Sequence, residues 1–195
     1  VSAAGPSRPP RADAQANRER ILTAAAQAFR DDGLDAGVAG IAQRAGVGSG
    51  TIFRNFPTKD DLIHAVVTRR VDQWIAKIDD ELATGDPGAR FGAFFVAAVA
   101  WFSDDRGILE AHERGILDQP ALEGRRQEVL ERTEQLLAQA RRAGVLRPDI
   151  GAEDFYALAI GTAEAIEVIE QKGGPAGEGA RTRHPAVVVA GLRPQ

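Results

Sequence analysis

The chain has 195 residues, 44% hydrophobic and 27% charged, which suffices for one large or two small cores. It contains no cysteine, so disulfides, thiolate metal sites and a cysteine nucleophile are excluded. The net charge of −4 is unevenly spread: residues 1–59 carry +3 and the remainder −7, as expected where only the amino-terminal third meets a polyanion.

Residues 1–13 are rich in Pro, Arg and Ala without periodicity and read as a flexible arm. They lack the apolar core of a signal peptide, and no run of 18 apolar residues occurs, so a cytoplasmic protein with no membrane partner is expected. From Asn17 the residues Ile21, Leu22, Ala25, Ala28 and Phe29 recur at helical spacing until Gly33. A short second helix is predicted over Val38–Ala45 and a third over Ser49–Asn55, joined through Ala45-Gly46-Val47. Gly46 permits the tight reversal and Val47 plugs the angle, which makes a helix-turn-helix braced by the first helix. Gly48 and Gly50 keep the start of the third helix slim, so that its backbone N–H groups can approach a phosphate.

Thr58 and Asp61 form a variant capping box opening a long helix of about 25 residues, with Leu62, Ile63, Val66, Val67, Trp74, Ile75, Ile78 and Leu82 on its apolar face. Gly85-Asp86-Pro87-Gly88 ends it. RFGAFFVAAVAWF is apolar all round and predicts a helix buried on every side. After a break at Ser103–Gly107 comes a short helical segment, then an amphipathic helix over Pro120–Arg142 and another over about Ala152–Gln171 with Phe155, Leu158, Ala159, Thr162, Ala165, Ile166 and Ile169 inward. GGPAGEG reads as a flexible interruption; the following ARTRHPAVVVAGLRP is a final helix or, by its Val run, a strand, with Pro185 limiting where a helix can start.

The ordered set ILTAA, the Gly33 stop, IAQRAGV, GTIFRNF and PTKDDLI, within residues 18–67, closely resembles the DNA-binding domain of the tetracycline-repressor (TetR) family of bacterial transcription regulators. The resemblance implies an all-α protein of about nine helices: a helix-turn-helix DNA-binding domain over 14–60 and a helical ligand-binding and dimerisation domain over 61–195. It also implies a homodimer on a pseudo-palindromic double-stranded DNA operator, released by a small-molecule effector, with no cofactor. Three features depart from the family pattern. Phe53 stands where members commonly have a tyrosine whose hydroxyl reaches a phosphate; it is counted among the DNA-binding candidates, but without a hydroxyl it is expected only to pack. Gly48-Ser49 replaces a common serine-lysine, and GVAG gives the second helix no polar cap. Modest intrinsic DNA affinity is the expectation.

On this resemblance the third helix lies in the major groove. Arg54 is the first choice for reading guanine through O6 and N7, and Thr51 for a thymine methyl or phosphate. Ser49, Asn55 and Lys59 fit phosphate positioning, while Arg44 and Arg18 add charge. In the distal part Phe95, Trp101, Phe102, Tyr156 and Ile160 are candidates to line an apolar ligand cavity, with His112 and Glu164 as polar partners. The small residues Ala159, Gly161, Ala163 and Ala165 permit close helix approach at a dimer interface or within the chain. HERGI lacks the second histidine of H-E-x-x-H, and no Gly-x-Ser-x-Gly elbow occurs, so neither metal nor catalytic residues are expected. The ligand-responsive repressor competes with two alternatives: a DNA-binding regulator without a small-molecule effector, and a helical enzyme or adaptor with a vestigial helix-turn-helix.

Overall fold

The computed structural model describes residues 10–83, 86–173 and 177–194. Among them the chain forms nine helices and no strand: α1 (Pro10–Asp32), α2 (Val38–Ala45), α3 (Ser49–Asn55), α4 (Lys59–Ala83), α5 (Pro87–Ser103), α6 (Arg106–Glu113), α7 (Glu123–Arg142), α8 (Ala152–Lys172) and α9 (Ala180–Gly191). None of these is long and apolar enough to cross a membrane.

Two apolar clusters organise the helices. In the first, Ile21, Leu22, Ala25 and Phe29 of α1 meet Ile41 and Ala45 of α2, Ile52 of α3, and Leu62, Val66 and Val67 of α4. In the second, Trp74 and Ile78 of α4 join Phe94, Phe95 and Phe102 of α5, Leu136 and Leu137 of α7, and Phe155, Ala159 and Ile166 of α8. Phe155 is central: it stacks on Phe94 at 5.2 Å and takes Phe95 edge-on at 5.4 Å. Each such ring or aliphatic side chain removed from water contributes roughly 1.5–3 kcal/mol. The long α4 enters both clusters, one through Leu62, Val66, Val67, Val71 and Ile75 and the other through Trp74 and Ile78.

Several sequence expectations are corrected. The arm expected over 1–13 is helical from Pro10 onward, and residues 1–9 lie outside the described residues. Pro87 starts α5, where its missing N–H is harmless. That helix is not buried on every side, because Ala93 is exposed and Val96 is 45% exposed. Ala165 points outward instead of inward. The Val run is helical, and α9 begins five residues ahead of Pro185, which sits inside it. Of the interruption GGPAGEG, residues 174–176 lie outside the described residues.

The two clusters are joined through charge as well as through α4. Asp105, only 6% exposed, caps α6 by accepting from the Ile108 N–H (3.3 Å). Its other oxygen takes the Arg70 guanidinium of α4 at 2.5 Å and lies 3.8 Å from Arg30 of α1. Burial lowers the Arg70 pKa from the usual guanidinium range, while Asp105 opposes that effect. Gly107 lets α6 lie directly on α1, since a Cβ there would sit 3.0 Å from the Phe29 carbonyl oxygen.

A neutral hydrogen-bonded lock sits deeper. The Trp74 indole N–H of α4 donates to the Tyr156 hydroxyl of α8 (2.7 Å), which also bonds the Thr133 hydroxyl of α7 (2.9 Å). Burial pushes the Tyr156 phenol up to about 12, against 10.0 in water.

Two predictions follow from these contacts. Asp105→Ala strips the cap from α6 and leaves Arg70 without its carboxylate, so urea unfolding is expected to show a loss of about 2–4 kcal/mol. Asp105→Asn, which keeps the cap, should fall between the variant and the parent. Tyr156 is the chain's one tyrosine, so phenolate absorbance reports it alone and should titrate near 12 instead of 10. The folded state holds that proton where the unfolded chain loses it. Stability is therefore expected to fall as pH rises from about 10 to about 12, and Tyr156→Phe should remove this fall while costing about 1–3 kcal/mol at neutral pH through the unsatisfied Trp74 N–H.

Candidate functional site

The amino-terminal end presents a short exposed helix on a rigid seat. Gly46 ends α2 in the left-handed region (φ 65°), its N–H on the Gln43 carbonyl (3.2 Å), while the Val47 N–H bonds the Ala42 carbonyl (3.1 Å). Val47 packs against the first cluster and fixes the angle between α2 and α3. Ile52 and Phe56, 1% and 2% exposed, pin α3 to the core. The opposite side of α3 is thereby turned to solvent with Ser49, Gly50, Phe53 and Arg54. Among the described residues a Cβ at Gly48 or Gly50 would meet nothing within 4 Å, so no contact there demands these glycines.

Arg54 makes no hydrogen bond or ion pair among the described residues, and its guanidinium fork is open to a partner. Thr51 and Asn55 are half-buried, with the Asn55 side-chain amide donating to the Thr51 carbonyl (2.8 Å). Just beyond, the Thr58 backbone N–H donates to the Asp61 carboxylate (2.9 Å), and the Asp61 N–H to the Thr58 hydroxyl (3.0 Å). The Thr58 hydroxyl also donates to that carboxylate, and these bonds hold Asp61 below the usual carboxylate range. This box fixes the first turn of α4 and with it Lys59.

Three placements differ from a simple row of free cations. Arg44 is held by Asp31 (3.3 Å) and Asp32 (3.1 Å), so its charge is compensated within the chain. Arg18 lies 4.6 Å over the Phe56 ring and braces the end of α3. Phe53 is 48% exposed. It offers a ring to whatever α3 meets.

At the distal end a cavity of about 500 Å³ opens between α4, α5, α6, α7 and α8. Of the residues singled out in the sequence, Trp101, Phe102, His112, Tyr156, Ile160 and Glu164 line it. Phe95 does not. It is fully buried against Phe155, because the apolar girdle of α5 hides which face meets the cavity. Reading the sequence missed the wall from α7, with Leu122, Arg126, Val129 and Leu130, although their three- and four-residue steps mark one face. Extending the Tyr156–Ile160–Glu164 stripe by the same steps also finds Glu153, Ala157 and Gly161. The Tyr156 hydroxyl is consumed by Trp74 and Thr133, so the cavity meets mainly its ring.

Both ends of the chain match known family models. Residues 21–66 match the family model described as bacterial regulatory proteins, tetR family, and residues 86–194 match the transcriptional regulator SbtR-like carboxy-terminal domain. An HTH-type transcriptional regulator of Staphylococcus aureus is 38% identical over 66 residues, a match spanning 33% of this chain and 36% of that relative's length. A TetR transcriptional regulator of Streptomyces coelicolor, 31% identical, superposes with a TM-score of 0.67 over 91% of this chain and 99% of its own. A TetR regulatory protein of Mycobacterium vanbaalenii, 32% identical, does so with 0.68 over 95% and 100%. The chain belongs to the TetR family of transcriptional regulators.

Proposed function

We propose that this regulator is a homodimeric repressor that leaves an inverted-repeat operator when a small molecule fills the distal cavity. The observation that carries the reading is α4, which runs unbroken from Lys59 beside the exposed α3 to the second cluster, with Val71 on the cavity wall. At 1.5 Å per residue it spans roughly 37 Å. A change in its tilt at the cavity therefore becomes a displacement of α3. In this reading residues 14–60 form the DNA-binding domain and 61–195 the ligand-binding and dimerisation domain, with α4 serving both.

In the complex α3 enters the major groove. Arg54, unpaired at the exposed face, reads guanine, and Thr51 takes a methyl or phosphate. Ser49, Lys59 and the part of the Asn55 amide not engaged by Thr51 hold phosphates. Arg44 contributes less than its charge suggests, because Asp31 and Asp32 already neutralise it. A second copy docks through α8 and α9, where Gly161, Ala165 and Val168 (49% exposed) of α8 and Val187 (66% exposed) of α9 are open to it. Two α3 helices then face successive major-groove turns, about 34–36 Å apart. Ligand coupling of about 1–3 kcal/mol would change operator affinity about 5–150-fold.

Selection from a random duplex pool at two salt concentrations tests this. An inverted repeat is expected, with Arg54→Ala losing about 1–3 kcal/mol of discrimination at one base pair in each half-site. Lys59→Ala should weaken all duplexes alike and flatten the salt dependence. Phe53→Tyr, which supplies a hydroxyl at an already exposed position, is expected to tighten binding by about 1 kcal/mol. Recovery of no repeat, or binding indifferent to Arg54, would refute the reading.

A further inference from the structure

The charges around the distal cavity select the class of molecule it takes, on the reading that it holds a small-molecule effector. Its walls are apolar, with Trp101, Tyr156 and Ile160 among them. The Tyr156 hydroxyl is already bonded to Trp74 and Thr133. Recognition by polarity is therefore left to the titratable groups on the lining: Asp118, Arg126, Glu153, Glu164 and His112.

These groups are not balanced. Arg126, the single guanidinium, is held in a two-point pair by Glu123, at 3.1 and 3.0 Å. The carboxylates of Asp118 and Glu153 add to the field that keeps it charged. Glu164, on the same stripe of α8 as Ile160, makes no hydrogen bond or ion pair among the described residues. An anionic head group would have to displace Glu123 from Arg126 and approach three further carboxylates. A cation meets a carboxylate directly, and Trp101, Tyr156 and Ile160 on the same lining take its apolar body.

We propose that the cavity binds a hydrophobic cation, an ammonium or similar delocalised cation on an apolar body, and disfavours carboxylates and phosphate esters. The cation sits at Glu164, about three turns of α8 away from Glu153, and its apolar body runs along Ile160 towards Tyr156 and Trp101. At about 500 Å³ the space suits a ligand of ordinary small-molecule size.

The test uses three probes with one tail, below the concentrations at which they form micelles: decyltrimethylammonium, decanoate and decanol. Binding to the full chain is read by calorimetry and by the fluorescence of Trp101, one of only two tryptophans. The expected result is that the ammonium binds at least about tenfold more tightly than decanoate, a gap that narrows as salt is added. In the double variant Glu153→Gln/Glu164→Gln the ammonium should lose several-fold affinity while decanol binds as before, which also shows that the variant is folded. Tighter binding of decanoate, abolished by Arg126→Ala, would overturn the proposal in favour of an anionic ligand. Equal binding of all three would overturn the charge preference and leave the small-molecule reading intact. If none binds, the small-molecule reading itself falls, and the cation proposal falls with it.

Discussion

One buried carboxylate sets the relation between the two halves of this protein. Asp105 answers three partners at once: the N–H in the first turn of α6, Arg70 on α4 and, at ion-pair distance, Arg30 on α1. A charge so far out of water is tolerable only with its partners in place, because losing one leaves another ion uncompensated. The Arg70 Nε, buried without a partner of its own, makes the guanidinium still more dependent on that carboxylate. Around this point Glu110 adds a second tie, accepting from the Leu34 N–H (2.8 Å) and pairing with Arg106 and Arg114. Arg114 in turn pairs with Asp35 at 2.9 Å. The α1–α2 corner is thus fastened to α6, and α6 forms part of the cavity wall through His112.

The recognition end is built in the opposite way. α2 starts at Gly37 without a side-chain cap, and α3 is only seven residues long, too short to be stable alone. Both borrow their stability from burial: Ile41 and Ala45 from α2, Ile52 from α3, and Phe56 under the Arg18 guanidinium. Such a helix keeps its outward face free of internal obligations. That freedom is what leaves Arg54 unpaired, whereas Arg44, one helix earlier and within reach of the carboxylates that end α1, is neutralised.

How much of this was legible in the sequence depends on whether local chemistry marked it. The bounds of α2 and α3 were readable because Gly46 and Gly48 punctuate them, and the start of α4 because Thr58 and Asp61 form a box. The face that α5 turns to the cavity was not, since a helix apolar on all sides carries no period; Phe95 and Val96 were misplaced for that reason. Along α8 the small residues divide by period: Ala159 and Ala163 are buried, while Gly161 and Ala165 face outward. The Arg44 pairs and the Asp105 cluster join residues far apart in the chain, and no spacing rule announces them. Six of the seven residues assigned to the cavity do line it, and three of them, Tyr156, Ile160 and Glu164, share one stripe of α8 whose four-residue steps the sequence displays.

The aromatic stack gives the physical route by which an occupant of the cavity would act on α4. Trp101 lines the cavity and stacks on Trp74 at 5.1 Å; Trp74 belongs to α4 and stacks in turn on Phe94 at 5.5 Å. The same Trp74 donates its indole N–H to Tyr156, another wall residue. Two parts of the wall therefore bear on one side chain of the long helix, by packing through Trp101 and by a hydrogen bond through Tyr156. Close-packed rings do not deform continuously, so a ligand that re-seats Trp101 forces Trp74 either to follow or to lose its stack. Arg70, one helical turn before Trp74, is the residue that Asp105 holds. On the proposed reading, a shift of Trp74 works against the buried ion pair, and coupling between cavity and DNA-binding surface is set by which of those two contacts yields first.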